Sequence, residues 1–247
     1  MPTVEAVIFD FIGTLADVKG YTMDDSKKKL YKAVADAGFE VGGERFLEAY
    51  GRAHEKYRVV RYQKLVEVTN AVWISEALTE LGFETAPEDP QIKIAVNTFF
   101  EEYVKSLKLR PCVRSLLKNL STDHRLGLIS NFTYAPVIFA GLRRLDIRRF
   151  FNAVLVSEEV GWRKPSPKVF AEALERLSVR AEETVYVGDS PLEDVGGAKS
   201  VGMRTVFVSS QFHSVKDLEE SRQKPDLVAK DICVLCKQLL GFLNEKR

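Results

Sequence analysis

Three short apolar runs in this 247-residue chain end in polar residues able to do chemistry. Asp10 closes VEAVIF, Ser130 and Asn131 close LGLI, and Asp189 follows VYVG. Lys164, in GWRKPSP, precedes a helix-like stretch. Taken singly, an aspartate or serine in such a place commonly caps a helix, because its side-chain oxygen accepts from the free N–H groups of the first turn. Taken together, these residues supply a carboxylate nucleophile, a hydroxyl donor, a cation and a second carboxylate. The carboxyl ends of the strands in an open parallel sheet border one crevice, so the four are expected to converge there.

The elements that must position them follow from the pattern of apolar residues. Residues 4–10, 126–130, 184–188 and 205–208 read as strands buried on both faces, with 153–156 as a shorter fifth. Helix-like stretches at 113–120, 136–145, 167–177 and 191–201 separate them. Alternation of this kind predicts an α/β fold, a Rossmann-like doubly wound parallel sheet. From about residue 20 to 105 the chain changes character. Periodic charged and apolar stretches such as SKKKLYKAVADAGF and ERFLEAYGRAHEKYRVVRYQ are punctuated by Gly38, Gly42, Gly43, Gly82 and the segment 87–90, with no strand between them. The expected organisation is therefore a discontinuous α/β core of residues 1–18 and 106–247, with an α-helical domain at 19–105.

Composition narrows the classes. The 36 basic and 35 acidic residues nearly cancel, for a formal charge of +1, which argues against a broad nucleic-acid surface. No apolar run approaches the ~18 residues needed to span a bilayer. The opening MPTVEAVIFDF enters a strand without a signal-peptide pattern, so the expected location is the cytoplasm. Three cysteines, Cys112, Cys233 and Cys236, suggest no disulfide framework, and Cys233 and Cys236 read as small apolar residues on one face of a helix. His54, His124 and His213 have no neighbour at ligand spacing, and no zinc site is expected.

The motifs resemble those of the haloacid dehalogenase superfamily. D-F-I-G-T-L at 10–15 is similar to its first motif, D-x-D-G-T-L, and L-I-S-N at 128–131 to its second. R-K-P-S-P at 163–167 is similar to the third, and G-D-S-P-L-E-D-V-G-G-A-K at 188–199 to the fourth. The helical insertion stands where the family carries its C1 cap. The resemblance implies that Asp10 attacks phosphorus to form an aspartyl-phosphate. It implies Mg²⁺ held by Asp10, Asp189 and the backbone carbonyl of Ile12. Ser130, Asn131 and Lys164 would bind the phosphoryl group, Thr14 would shape the loop beneath the nucleophile, and Asp194 would orient metal-bound water or Lys164.

Position 12 departs from the pattern. Phosphatases of the family carry a second aspartate there, which protonates the leaving alcohol and then activates water; such catalysis is typically worth ~10²–10⁴ in rate. Ile12 has no titratable group, although its carbonyl remains for a metal. The main expectation is a phosphatase competent where the leaving group needs no proton, such as acyl or aryl phosphates. A 2-haloacid dehalogenase would also tolerate Ile12, with Arg58 or Arg61 as the halide-binding residue, though each reads as solvent-facing. A phosphonoacetaldehyde hydrolase would need a cap lysine, with Lys27, Lys28 or Lys29 in reach. A non-catalytic scaffold is the reading from a different class. In every enzyme reading the partner is a small phosphorylated or halogenated molecule; oligomeric state is not legible. Asp17 reads as a solvated residue of the connection to the cap, and Trp73 and Trp162 as packing residues.

Overall fold

The computed structural model describes residues 3–244. The chain opens with β1 (Ala6–Phe9) and β2 (Ala16–Val18), then four helices, α1 (Met23–Asp36), α2 (Gly43–Gln63), α3 (Asn70–Glu80) and α4 (Pro90–Ser106). It continues through β3 (Leu107–Leu109), α5 (Val113–Leu120), β4 (Arg125–Ser130), α6 (Ala135–Arg144) and β5 (Ala153–Val156). The short α7 (Ser157–Val160), α8 (Pro167–Leu177), β6 (Thr184–Gly188) and α9 (Gly197–Ser200) follow. The last elements are β7 (Arg204–Val208), α10 (Val215–Glu220), β8 (Leu227–Ala229) and α11 (Ile232–Asn244).

Six strands form one parallel sheet in the order β5-β4-β1-β6-β7-β8. The α/β, doubly wound fold expected from the alternation is therefore present. Side chains alternate between the two faces of the sheet, as the pleat requires. Val7, Phe9, Leu126, Leu128, Val185 and Val187 share one core with α5, α6 and α11. Ala6, Ile8, Ile129 and Tyr186 share the other with α8 and α9. Both faces are covered, which is why these strands read as continuous apolar runs.

Phe9 of β1 pairs with Leu128 of β4 on one side and Val187 of β6 on the other. β1 is thus the switch point, and Asp10 emerges between the ends of β4 and β6, where Ser130 and Asp189 also emerge. The four helices α1–α4 have a separate apolar core built on Leu30, Phe46, Trp73, Ile74, Leu78 and Phe99, which Val137 of α6 joins. Thr22 and Thr69 start α1 and α3 by accepting from Asp25 N and Val72 N, and Pro90 opens α4.

Several details differ from the sequence reading. The first strand is shorter than 4–10, and 191–201 is not one helix. A wide turn of π type at Pro191–Gly196 precedes α9, with Asp194 Oδ2 accepting from Ser190 N at 2.8 Å inside it. The antiparallel pair β2–β3 and the edge strand β8 were not anticipated; each strand is only three residues long, too short for periodicity to register. Cys112 and Cys233 form a disulfide across 121 residues, contrary to the expectation of none. The long separation leaves no local spacing signal. Cys236 is free, and both residues of the C-x-x-C do pack against the core. No helix among the described residues is long and apolar enough to cross a membrane.

Candidate active site

A cavity of about 120 Å³ at the carboxyl ends of β1, β4 and β6 is lined by Asp10, Ile12, Ser130, Asn131, Lys164 and Asp189, with Glu193, Asp194 and His213 completing it. The residues singled out at the strand ends thus meet in one place. Lys164 is 2 % exposed, and its Nζ donates to Asp10 Oδ1 at 2.8 Å and Asp194 Oδ1 at 2.6 Å. It also donates to the Ile129 carbonyl at 3.2 Å and the Tyr186 hydroxyl at 3.0 Å. Tyr186 in turn donates to Asp194 Oδ1. Every proton of the ammonium is held, which fixes the amine beside Asp10.

Asp189 is gripped from three sides. Thr14 Oγ1 donates to its Oδ1 at 3.3 Å, Ser210 Oγ donates to its Oδ2 at 2.6 Å, and His213 Nδ1 lies 3.3 Å from Oδ2. Gly13 is at φ +103°, and a Cβ there would fall 2.5 Å from Asp189 Oδ2, so only glycine lets this loop pass under the carboxylate. Arg110 ties the loop down, donating to the Gly13 and Thr14 carbonyls and to the Ser209 carbonyl. The Asn131 amide is committed to structure: it donates to the Lys164 carbonyl and Glu193 Oε2, and accepts from Lys164 N. Any contact it offers a phosphoryl group would come from its backbone rather than its side chain.

One oxygen of each carboxylate of Asp10, Asp189 and Asp194 lies within 4.8 Å of the others, and all three residues are buried. Three carboxylates against the one ammonium of Lys164 leave a formal charge of −2 in a desolvated place. Burial pushes the Asp10 carboxyl up to about 7; Lys164 pulls it down, while the charges of Asp194 and Asp189 add to the rise. Burial also works against the Lys164 ammonium, but Asp10 and Asp194 outweigh it and hold its pKa well above the ordinary value. The hydrogen bond to Asp189 raises His213. Asp10 Oδ2 is buried and accepts from no donor. An orphaned carboxylate oxygen amid uncompensated negative charge fits a hard divalent cation. The donor set of Asp10 and Asp189, with the Ile12 carbonyl between them in sequence, suits such an ion.

Position 12 contributes only apolar surface, its side chain lying against the core that contains Phe9 and Leu128. Asp17 does not replace the missing acid: it sits on β2, 3.6 Å from Arg110 Nε and outside the cavity lining. Trp162 also lies away from the cavity, under the Lys168 ammonium.

Sequence reasoning missed several participants. Tyr186 lies inside the buried strand TVYVG, where its ring reads as one more apolar core residue. Ser210 and His213 follow β7, where the strand-end rule applied elsewhere would have found them. Arg61 was expected to face solvent, but it is buried, with its guanidinium 5.0 Å from the Trp73 ring. It donates to Glu67 Oε1 at 2.9 Å, while Arg163 donates to Glu67 Oε2 at 2.6 Å. Glu67 N also donates to the Gly161 carbonyl, and Arg163 N to the Leu65 carbonyl. The segment between α2 and α3 is thereby strapped to the residues just before Lys164. Arg58 is exposed as expected.

The chain matches the haloacid dehalogenase-like hydrolase family over residues 7–208. It is 29% identical over 240 residues to a glyceraldehyde 3-phosphate phosphatase of Methanothermobacter thermautotrophicus, covering 96% of this chain and 100% of that one. The glyceraldehyde 3-phosphate phosphatase of Methanopyrus kandleri is 31% identical, over 83% of this chain and 84% of its own. Among solved structures, a 2-haloacid dehalogenase from Pseudomonas syringae shares the fold with a TM-score of 0.70 at 24% identity, covering 97% of this chain and 99% of that one. The chain belongs to the haloacid dehalogenase-like hydrolase family, and it is a hydrolase.

Proposed function

We propose that this protein is a Mg²⁺-dependent phosphatase that forms an aspartyl-phosphate on Asp10 and, lacking an acid at position 12, acts on phosphates whose leaving group departs unprotonated. The observation that carries this reading is the buried cluster of Asp10, Asp189 and Asp194 around a single ammonium, with Asp10 Oδ2 unpartnered. Asp10, Asp189 and the Ile12 carbonyl would hold Mg²⁺, which when bound offsets the repulsion between an anionic nucleophile and an anionic phosphate.

The residues of the chain divide the remaining work. Lys164 holds Asp10 through Oδ1 and favours its ionised form, while the other oxygen stays free of hydrogen bonds. The Asp10 carboxylate forms a bond to phosphorus as the bond to the leaving oxygen breaks, and that oxygen leaves with the electron pair as an anion. Lys164 and Ser130 balance the charge on the phosphoryl oxygens. Asp194 and Tyr186 fix the lysine. Water then cleaves the acyl phosphate, releasing phosphate and restoring Asp10; without a base at position 12 this step is slow.

The names of the two relatives support phosphate ester chemistry. We take the four helices as a cap, residues 19–105, inserted into the core of 1–18 and 106–247, and a small molecule as the substrate. The cytoplasm is the proposed compartment; the Cys112–Cys233 bridge counts against it, because disulfides are rare where thiols are kept reduced. A dehalogenase reading draws support from Ile12 and from the burial of Arg61. It leaves the buried negative charge of the Asp10, Asp189 and Asp194 cluster without a metal to offset it.

Purified protein assayed with acetyl phosphate and 4-nitrophenyl phosphate, with and without Mg²⁺, and beside chloride release from L-2-chloropropionate, separates the two. Metal-dependent phosphate release that disappears in Asp10→Asn supports the proposal. Chloride release without metal would overturn it.

A further inference from the structure

A second, larger cavity of about 490 Å³ lies between the helices α1–α4 and the sheet. Asn131 lines both this cleft and the one that holds Asp10, so the two spaces adjoin. The wall of the larger one is aromatic: Tyr50, Trp73, Phe99, Phe100, Tyr103 and Phe132. Their rings touch in sequence, with centroids 6.2 Å apart for Tyr50 and Trp73, 6.2 Å for Tyr50 and Phe99, and 4.8 Å for Phe99 and Phe100. Phe132 lies 5.3 Å from both Phe100 and Tyr103.

Several polar groups of this cleft are already engaged, while Trp73 Nε1 is buried without a partner. Asn70 donates to the Tyr50 hydroxyl and accepts from Thr133, and Arg61 is bound to Glu67. The lining is nonetheless mostly ring surface, so each hydroxyl of a polyhydroxylated leaving group that faced the rings would be buried unpaired, at a cost of roughly 1–3 kcal/mol. The charged lining residues are Lys27, Arg61 and Arg163, with no carboxylate among the described lining residues. An anionic or electron-rich aromatic group is the chemistry that fits such a wall.

This converges with position 12. A leaving group that departs without a proton must be a good anion, and a phenolate is one that is also flat and aromatic. We infer that the substrate class is an aryl phosphate, with the phosphoryl group on Asp10 and the phenolic ring seated on the aromatic wall between the helices and the sheet. The inference rests on the phosphatase reading and narrows it, excluding small acyl phosphates and triose phosphates as preferred substrates.

The test compares phenyl phosphate with 2-naphthyl phosphate, whose phenols are of similar acidity, so that ring contact changes while leaving ability barely does. Acetyl phosphate serves as a ringless substrate that also needs no acid, and glyceraldehyde 3-phosphate as a polar one. The naphthyl ester should be favoured in kcat/KM by ~10–100-fold, carried by KM. Gly51→Leu fills the cleft from α2, where an added Cβ meets nothing within 4 Å, and should abolish that preference while acetyl phosphate turnover is unchanged. Phe100→Leu should act in the same direction, and the glycine variant keeps the test valid if the phenylalanine variant folds poorly. Equal kcat/KM for the two aryl esters, a preference for glyceraldehyde 3-phosphate, or a ring preference that survives Gly51→Leu would each overturn the inference. If that happens while Asp10-dependent acetyl phosphate hydrolysis persists, the phosphatase reading stands alone. Phosphate release from none of the four would remove both.

Discussion

Replacing Ile12 by aspartate should restore the proton that this site lacks. Ile12 lines the same small cavity as Asp10, Ser130 and Lys164, so a carboxyl at this position is expected beside the leaving oxygen. Without metal the cluster carries a formal −2, from three carboxylates against one ammonium, and a fourth ionised carboxylate would take it to −3; with Mg²⁺ bound the change would be from 0 to −1. Like charges and burial both favour the protonated form, so the new carboxyl would remain an acid near neutral pH. The expected gain on alkyl phosphates is ~10²–10⁴ in kcat/KM, or about 3–5 kcal/mol of barrier. Ile12 is only partly buried, so its lost packing against the core costs about 1 kcal/mol of stability, and thermal denaturation is followed in parallel. The assay is a phosphate-release series from acidic aryl esters to alkyl esters. The wild type should slow steeply as the leaving group becomes more basic, and Ile12→Asp should flatten that dependence. Ile12→Asn, equal in shape and without the proton, should not. A gain no larger than that of Ile12→Asn, or a wild type already indifferent to leaving-group acidity, would refute the reasoning.

Other consequences follow from the buried charges and the cysteines. Asp10 is raised to about 7 from 3.8, so its contribution to stability is full below about pH 4 and is lost as pH rises through about 7. At 1.36 kcal/mol per pH unit this amounts to about 4 kcal/mol. Metal-free Asp10→Asn should therefore melt above metal-free wild type at pH 8, the gap closing at pH 4 and on adding Mg²⁺; equal melting at both pH values would contradict it. Glu67→Gln strands the Arg61 and Arg163 guanidinium groups, whose side chains are 8% and 5% exposed, and should cost about 3–5 kcal/mol in urea unfolding. Lys32→Ala breaks a pair with Asp36 that is 74% and 65% exposed and should change almost nothing in the same measurement. Alkylation of unfolded, unreduced protein should label one thiol, Cys236, and reduction should expose all three cysteines. Closing a loop of this length is worth up to about 5 kcal/mol, so Cys112→Ser should melt well below the oxidised protein.

The parts of the site that were legible in the sequence share one property. Asp10, Ser130 and Asp189 each end an apolar run, so local pattern alone reports both the strand and the edge at which its last side chain emerges. Lys164 was legible through its motif, and its reach to Asp10 depends on a loop that pattern does not describe. Arg61 and Glu67 were not legible. Their burial arises from a strap against residues 161–163, and Glu67, in the connection between α2 and α3, carries no local sign of its partner Arg163, 96 positions away. The disulfide failed to register for the same reason, because its cysteines are 121 residues apart. Position 12 is the reverse case: its chemistry was plain from the residue type, while the aromatic wall that gives the absence a purpose is assembled from three helices and the loop after β4.

The proposed reaction runs through a covalent intermediate at Asp10, and trapping it is the most direct measurement. Protein mixed with an aryl phosphate and Mg²⁺, quenched in acid and digested, should yield the peptide of residues 4–15 carrying a phosphoryl group on Asp10. Because position 12 supplies no base for the second step, the adduct should accumulate in the wild type and fall in Ile12→Asp. Phosphate release without any label on Asp10, or a label that forms equally well in Asp10→Asn, would contradict the account.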